Sequence, residues 1–547
     1  AKIESERHQI MRKWIAKIEN ADIDFYFFVL TFFGITIIRG IIESFSSPGI
    51  FGRFLDWTAI FVHIPLWFAA VFVWIIIFIH LLTQETIVKI ARVQLAVFPI
   101  IFFPIIADYL MTSGAGQPLS YLFPPDANKW LRQAVGFFAN PSISAGIRME
   151  IAAVLAMVIF YVSAKSKSAL KGLTVGLIIY FLILFFGSLP GVIFILNKAA
   201  VADADIQPLT FYEKAMANDS PNVGRGYFST QFSLEKMNAV FDLMMSSVVF
   251  IFLSAGLALL FYFWKKEAFF AFLKNLRPER LSHYWLMALM GIGISFITFG
   301  QLPPLTIFNI IALIVLFLTI AFWWAFAVGH NDIVDLRSDL ISNPHRPLPA
   351  VKITLLETKS VNAVLFLLSL WGALILGYYA LLFVVGAHII AFLYSSPPLQ
   401  IKKLPFFNPL SIAVASLLFM MAGFFAVSPS LALNNFPKEF IFATLACLTL
   451  GVNFKDIKDI NGDRAVGVKT IPVIFGEKRG KVIIGAMMFL AFILMPLFLN
   501  KLPILPFAIL FGAMTVWAIN RKNYNETLVF GLYYGYIFLI VFAFIVL

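Results

Sequence analysis

The chain has 547 residues, of which 61% are hydrophobic and only 13% charged, and its mean hydropathy is +0.90. This composition excludes a soluble globular protein and indicates a polytopic membrane protein. The net charge of +12 matches the excess of Lys and Arg that cytoplasmic loops carry, so we expect no nucleic-acid partner. Cys447 is the single cysteine, which excludes an intrachain disulfide.

Taken in chain order, the pattern predicts an all-α membrane protein with about 15 transmembrane helices. Residues 1–20 read as a charged, amphipathic segment without the pattern of a cleavable signal peptide. A first bundle, 1–264, has six apolar runs near 24–43, 57–82, 89–112, 149–165, 170–196 and 238–264. After a basic cytoplasmic linker at 265–283, a second bundle, 284–547, has nine runs near 284–302, 305–329, 359–375, 377–395, 409–427, 438–454, 481–499, 502–519 and 527–547.

The distribution of Lys and Arg predicts the orientation of these spans. With the runs above, the basic loops all fall on one side, among them 265–283, 330–358 and 454–481. Loops on the opposite side, such as 428–437, contain almost no basic residues. The positive-inside rule therefore predicts a protein of the cytoplasmic membrane with a cytoplasmic N-terminus and an external C-terminus.

Two acid-rich stretches of the second bundle each begin where an apolar run ends. In the first, Asn331, Asp335 and Asp339 follow helical spacing and would share one face of a helix. Asp332 adjoins this face and adds a further oxygen donor. Like charges so placed repel one another unless a cation lies between them.

In the second stretch, Asp456, Asp459 and Asp463 would also share one helical face. If the two faces meet, their oxygens would form a cage for Mg²⁺. Acids mixed with Arg and Lys indicate a metal-bridged polyphosphate rather than a simple cation site. The basic residues at the same rim are Arg346, Lys402, Lys403, Arg464 and Lys469.

Three ordered motifs resemble those of the UbiA superfamily of intramembrane prenyltransferases. Residues 331–349 have the form Asn-x3-Asp-x3-Asp followed by Arg-Pro-Leu-Pro, which resembles the first aspartate-rich motif. Residues 459–472 resemble the second such motif. Residues 394–403, with a Tyr-Ser-x-Pro-Pro-Leu run and two lysines, resemble the loop between the fourth and fifth helices of the family. The resemblance covers residues 280–547, where nine spans also match the family's helix count.

The resemblance implies Mg²⁺-dependent transfer of a polyprenyl group from its diphosphate to an aromatic, quinone-precursor acceptor or to a lipid hydroxyl. It implies two Mg²⁺ ions on the matching positions Asn331, Asp335, Asp459 and Asp463, with Asp332, Asp339 and Asp456 as supporting acids. The residues expected to carry catalysis are Asp335, Asp459 and Arg346. Those expected to bind the diphosphate are Arg346, Lys402, Lys403, Arg464, Lys469 and Tyr394.

Two other functions remain open for the second bundle, namely a phosphoribosyl-type transferase acting on a polyprenyl phosphate and a carrier that binds a cation or polyphosphate without chemistry. The first bundle shows no acid pair, no metal spacing and no Gly-rich phosphate loop. It could serve as a scaffold for assembly into homo-oligomers or for delivery of membrane lipid. An independent transporter is the alternative, which the small number of charges within its spans disfavours.

Overall fold

The computed structural model describes residues 13–46, 56–112, 120–141, 143–198, 206–218, 234–465 and 467–546. These ranges are mainly helical and contain no β-strand. Fourteen of their helices are long and apolar enough to cross a membrane, and Glu526–Phe542 is a shorter apolar helix. The prediction of an all-α membrane protein with about 15 spans is therefore confirmed.

The chain divides into two compact units, with the boundary between Lys266 and Glu267. We number the apolar helices α1 to α15 in chain order. Those of the first unit are α1 Phe25–Ser46, α2 Thr58–Thr83, α3 Ile87–Met111, α4 Ala145–Ser166, α5 Ala169–Gly187 and α6 Met237–Trp264. Shorter helices in this unit are Ala127–Gly136, Leu189–Asn197 and Pro208–Asn218.

The described part of the second unit contains nine apolar helices. They are α7 Pro278–Phe299, α8 Ile307–Val334, α9 Leu355–Leu376, α10 Tyr378–Ser395, α11 Phe407–Val427, α12 Lys438–Ile457, α13 Glu477–Phe498, α14 Leu502–Asn520 and α15 Glu526–Val546. The short helices Leu336–Ser342 and Ile460–Ala465 follow α8 and α12. Both acid-rich stretches therefore lie where a span gives way to a short helix.

Local sequence explains where these helices begin and end. Thr354 and Glu357 form a capping box that satisfies free backbone N–H groups at the start of α9. Thr306 caps α8 through its side chain. Gly300 ends α7 at a φ of +69°, a left-handed conformation that glycine adopts without steric cost.

Glycines bring α7 and α11 into close contact at the centre of the second unit. A Cβ built on Gly291 would lie 1.8 Å from the carbonyl oxygen of Met420, and one on Gly423 would lie 2.0 Å from that of Ala288. Neither position has room for a side chain, so the two backbones touch directly. This contact fixes the spacing of two helices that help to form the cavity described below.

The stretch 265–283, expected as a linker, is largely helical. It comprises the helix Lys266–Asn275 and the first turns of α7. Phe272 packs against a cluster of Ala325, Phe326 and Leu365. This part of the basic stretch thus belongs structurally to the second unit, while the division into functional domains stays a prediction.

Candidate active site

A cavity of about 770 Å³ lies within the second unit. Both acid-rich stretches line it. Its apolar wall includes Trp323, Ala391, Met488, Phe492, Met495 and Ile537. The cavity therefore combines a charged end with an apolar wall, an arrangement suited to a ligand with a charged head and a hydrocarbon tail.

Asn331 and Asp335 face a lysine from the loop after α10. The ammonium group of Lys402 donates to both carboxylate oxygens of Asp335 at 2.6 Å and to Asn331 Oδ1 at 3.0 Å. Ser395 at the end of α10 also donates to Asn331 Oδ1, at 3.0 Å. The first motif and the loop motif are thus joined by direct hydrogen bonds.

Asp332 and Asp339 form a separate, buried group around Arg346. The guanidinium of Arg346 donates to Asp339 Oδ2 at 2.5 Å and to Asp332 Oδ1 at 3.2 Å. Asn275 donates to the other oxygen of Asp332 at 2.6 Å, and Asn343 donates to Asp339 Oδ1 at 3.0 Å. The two carboxylates are 4% and 3% exposed, so Arg346 is the cation that compensates their burial.

The spacing of the first acid stretch predicted one continuous helical face, but the structure does not have such a face there. α8 ends at Val334, and Asp335 has φ −89° and ψ 8° before the next helix begins at Leu336. Because the helix restarts there, Asp339 pairs with Arg346 while Asn331 and Asp335 pair with Lys402. The spacing argument therefore holds for Asn331 and Asp335 but not for Asp339.

The second acid stretch is built from a 3₁₀ turn, Val452–Ile457, and the short helix Ile460–Ala465. Asp456 is buried and lies 3.8 Å from the ammonium of Lys455. Asp463 accepts from Thr470 at 3.3 Å. Burial, together with the charges of Asp456 and Asp459, raises the pKa of Asp463 to about 7. A cation bound beside these carboxylates would relieve that repulsion.

The two stretches meet, because the helix Leu336–Ser342 packs against the helix Ile460–Ala465. Among the described residues, however, no three His, Cys, Asp or Glu side chains are grouped closely enough to hold a metal by themselves. The carboxylate cage expected from the sequence does not form from side chains alone. The donors are carboxylate and amide oxygens, which suit Mg²⁺, and this ion is usually held by one or two carboxylates together with substrate phosphates. The residues present therefore fit a Mg²⁺–diphosphate ligand.

The residues predicted from the sequence to bind the diphosphate fall into two sets. Arg346, Lys402, Lys403 and Tyr394 line the cavity. Arg464 and Lys469 are exposed and are not part of the described cavity wall.

Sequence reasoning missed five cations of the described cavity wall, namely Arg277, Arg280, Arg337, Lys455 and Lys458. Lys455 donates to Asn408 Oδ1 at 2.8 Å and to the Tyr394 hydroxyl at 3.2 Å. The sequence feature that could have identified Lys455 as a site residue is its position directly before Asp456. Arg277 and Arg280 lie in the stretch that was interpreted as a linker, and nothing in their spacing pointed to the acids.

Arg280 and Arg277 differ in their partners. Arg280 donates to Glu526 Oε1 at 2.8 Å. The guanidinium of Arg277 makes no hydrogen bond or ion pair with any described residue. Burial, followed by the neighbouring charges of Arg280 and Arg346, lowers the pKa of Arg277 to about 10, while the carboxylates of Asp332 and Asp459 act in the opposite direction.

Comparison with known proteins places the second unit in a family. The model of the UbiA prenyltransferase family matches residues 284–543, and no family model matches the N-terminal half. The digeranylgeranylglyceryl phosphate synthase of Pyrococcus horikoshii is 28% identical over 228 residues, 41% of this chain and 75% of the relative. The enzyme of the same name from Thermococcus sibiricus is 30% identical over 221 residues, 39% of this chain and 71% of the relative.

Among solved structures, a UbiA homologue from Archaeoglobus fulgidus bound to GPP and Mg²⁺ is 21% identical, with a TM-score of 0.40, over 50% of this chain and 98% of that one. The match to the family model spans both acid-rich stretches and the helices between them. An integral membrane protein of this composition, carrying these motifs, belongs to the UbiA prenyltransferase family and is a prenyltransferase.

Proposed function

We propose that the chain transfers a polyprenyl group from its diphosphate to the hydroxyl of a glyceryl phosphate lipid, with Mg²⁺ as cofactor. The observation that carries the proposal is the cavity, in which two acid-rich stretches and several cations lie together beside an apolar wall. The relatives named digeranylgeranylglyceryl phosphate synthase support this acceptor class.

The donor headgroup would lie between the two acid-rich stretches. Asn331, Asp335, Asp459 and Asp463 would hold two Mg²⁺ ions, with Asp332, Asp339 and Asp456 in support. Lys402, Lys403, Arg346 and Tyr394 line the same cavity and would bind the outer phosphate oxygens. Arg464 and Lys469 are exposed, so we assign them no direct contact with the donor.

Reaction requires the bond between the allylic carbon and the diphosphate oxygen to break, with the electron pair leaving on the diphosphate. Bound Mg²⁺ would supply charge stabilisation for that leaving group. Lys402 and Arg346 would add charge-assisted hydrogen bonds as the negative charge grows. The oxygen of the acceptor hydroxyl then bonds to the allylic carbon, and the hydroxyl proton is released.

The apolar wall would protect the reacting carbon. An allylic carbon with cationic character reacts with any water that reaches it, so the chemistry needs a dry pocket. Trp323 is 2% exposed and Phe492 is 4% exposed, and both side chains line the cavity. These side chains would hold the prenyl tail and exclude water from the site of transfer.

The distribution of basic loops supports a cytoplasmic active site. With the N-terminus in the cytoplasm, both acid-rich stretches open toward that compartment and the C-terminus lies outside. A water-soluble diphosphate headgroup would then enter from the cytoplasm while its tail stays in the bilayer. Cysteine labelling from each side of the membrane at an introduced Lys352→Cys would test this orientation.

For the first unit we propose a scaffold role in assembly or lipid supply. The test is a chain that begins at Lys266, so that the whole helix Lys266–Asn275 stays with the second unit, to which Asn275 contributes a hydrogen bond with Asp332. Retained prenyl transfer with a changed oligomeric state would support this role. Loss of transport of a solute into vesicles would instead favour a transporter.

The decisive test of the proposed function is a reaction with a radiolabelled allylic diphosphate and a panel of lipid and aromatic acceptors. We expect diphosphate release and an ether product with the glyceryl phosphate lipid, both abolished by a chelator and restored by Mg²⁺. Asp335→Ala and Asp459→Ala should abolish transfer while the protein still folds. A carrier would bind the diphosphate without releasing it, and an aromatic product would overturn the acceptor class.

A further inference from the structure

Arg277 is a cation of the cavity wall that forms no close ion pair with any carboxylate among the described residues, although Asp332 and Asp459 are its electrostatic neighbours. Lys402 pairs with Asp335, Arg346 pairs with Asp332 and Asp339, and Arg280 pairs with Glu526. Arg277, partly buried in the same wall, makes no such pair with any residue that the structure describes. A buried cation that lacks a partner is costly unless a ligand supplies the opposite charge.

Further cations lie around Arg277. Arg280 is its electrostatic neighbour and also that of Lys455. Among the described residues, Arg280 donates one side-chain hydrogen bond, to Glu526, which leaves other N–H groups of its guanidinium for a ligand. Arg277, Arg280 and Lys455 therefore form a second basic group of the cavity wall, and Arg346 is a further electrostatic neighbour of Arg277. We call these three residues the second basic group.

We propose that the second basic group binds the phosphate of the acceptor lipid, with Arg277 as its principal contact. This inference rests on the proposed function, because it names where the acceptor headgroup lies in the same cavity. The planar guanidinium of arginine binds two phosphate oxygens at once, and arginine is enriched at sites that recognise phosphate for this reason.

The position of the group suits an acceptor rather than the donor. Both Arg277 and Arg280 are electrostatic neighbours of Asp459, so an anion bound by them lies next to the proposed donor site. The donor diphosphate has Lys402, Arg346 and the metal ions as partners. A phosphate on the acceptor adds negative charge beside that diphosphate, and separate cations are needed to offset the repulsion.

An aromatic acceptor without charge would give the second basic group nothing to neutralise. The second basic group thus determines acceptor specificity, because it favours binding of a phosphate-bearing lipid over a neutral one. The difference in binding comes from leaving a partly buried guanidinium without an anionic partner when the neutral lipid binds.

The test measures binding of a radiolabelled monoprenylglyceryl phosphate to the full-length protein in nanodiscs, with Mg²⁺ and without donor. The matched neutral probe is the same lipid without its phosphate. We expect the wild-type protein to bind the phosphorylated probe at least tenfold more tightly. Arg277→Gln should lose about 10- to 100-fold in affinity for that probe alone, and Arg277→Lys should lose less because it keeps the charge. Arg479→Gln, an exposed arginine outside the cavity, is the matched control.

Steady-state kinetics in the same preparation separate this inference from the proposed function. Arg277→Gln should raise KM for the phosphorylated acceptor and leave KM for the donor within about twofold. A raised donor KM, equal binding of both probes by the wild type, or unchanged binding in Arg277→Gln would overturn the inference. Failure of the wild type to transfer a prenyl group to any acceptor would refute the proposed function, while the binding data would still decide the phosphate subsite.

Discussion

The ammonium group of Lys402 lies 2.6 Å from both carboxylate oxygens of Asp335. The two residues are 67 positions apart and come from the loop after α10 and the end of α8. The lysine side chain is 11% exposed and the aspartate side chain 26%, so this ion pair is partly shielded from water. It links the cation that would bind the diphosphate with the carboxylate that would bind Mg²⁺.

Replacing Lys402 by Gln should weaken donor binding. The variant loses a charge-assisted hydrogen bond to the diphosphate, so we expect KM for the donor to rise by about tenfold or more. Since the ammonium group of Lys402 then no longer competes with Mg²⁺ for the carboxylate of Asp335, the Mg²⁺ concentration for half-maximal activity should not rise. Steady-state kinetics with varied donor and varied Mg²⁺ measure both quantities.

Lys352→Gln, at an exposed lysine outside the cavity, should leave both values unchanged. A Lys402→Gln enzyme with the donor KM of the wild type would show that this lysine serves only to pair with Asp335.

Removal of Arg346 should cost stability as well as activity. Arg346→Ala leaves the carboxylates of Asp332 and Asp339 buried without their cation, and breaking such a group costs about 3–5 kcal/mol. We expect a clear fall in the thermal midpoint, and a smaller one for Arg346→Lys. The exposed neighbour His345→Ala is the control.

A second substitution tests the cause of that fall. Adding Asp339→Asn to Arg346→Ala removes one of the unpaired charges and should recover part of the lost thermal midpoint. If the double variant were less stable than Arg346→Ala, charge burial would not be the reason for the loss.

Periodicity and hydropathy were sufficient to predict most of the membrane-spanning helices from the sequence. The run expected at 409–427 appears as Phe407–Val427 and that at 377–395 as Tyr378–Ser395. The apolar run expected at 170–196 forms two helices instead of one. The first helix ends before Ser188, and the second begins at Leu189 with Pro190 in its first turn. Apolar content alone cannot locate such a break, since the side chains on both sides are equally hydrophobic.

The site was predictable in kind but not in detail. The acids were identified because charge is rare in this chain, whereas Arg277 and Lys455 depend on tertiary contacts that no local spacing encodes. The separation of Asp339 from Asn331 depends on a helix break at Asp335, where φ and ψ leave the helical region. Ion pairs with residues as distant as Lys402 then decide which acid faces which cation.

The contact between α7 and α11 gives a prediction on packing. Gly291→Ala would place a methyl group 1.8 Å from the carbonyl oxygen of Met420, so the helices must separate. We expect a loss of about 1–3 kcal/mol or more, measured as the midpoint of unfolding. Gly293→Ala on the same helix meets no atom within 4 Å and should be neutral or stabilising by up to about 1 kcal/mol. Equal effects of the two substitutions would show that the close approach does not limit stability.

Glu526 connects three parts of the second unit at the site. Its carboxylate, 16% exposed, accepts from Arg280 at the start of α7 at 2.8 Å and from Lys458, which directly precedes Asp459. Glu526→Gln removes the charge that holds both cations and should loosen the segment that carries Asp459. We therefore expect the Mg²⁺ concentration for half-maximal activity to rise about three- to tenfold, with a modest fall in the thermal midpoint.

Glu526→Asp keeps the charge on a shorter side chain and should lie between the wild type and Glu526→Gln in the same Mg²⁺ titration. The exposed Glu439→Gln serves as a control, since removing one acidic charge far from the cavity wall should not change the metal requirement. If Glu526→Gln kept the Mg²⁺ requirement of the wild type but lost thermal stability, the role of Glu526 would be limited to stabilising the contact between α15 and α7. A changed requirement at unchanged stability would instead mean that the position of Asp459 depends on this carboxylate, because the metal ion senses the geometry of its carboxylate ligands directly.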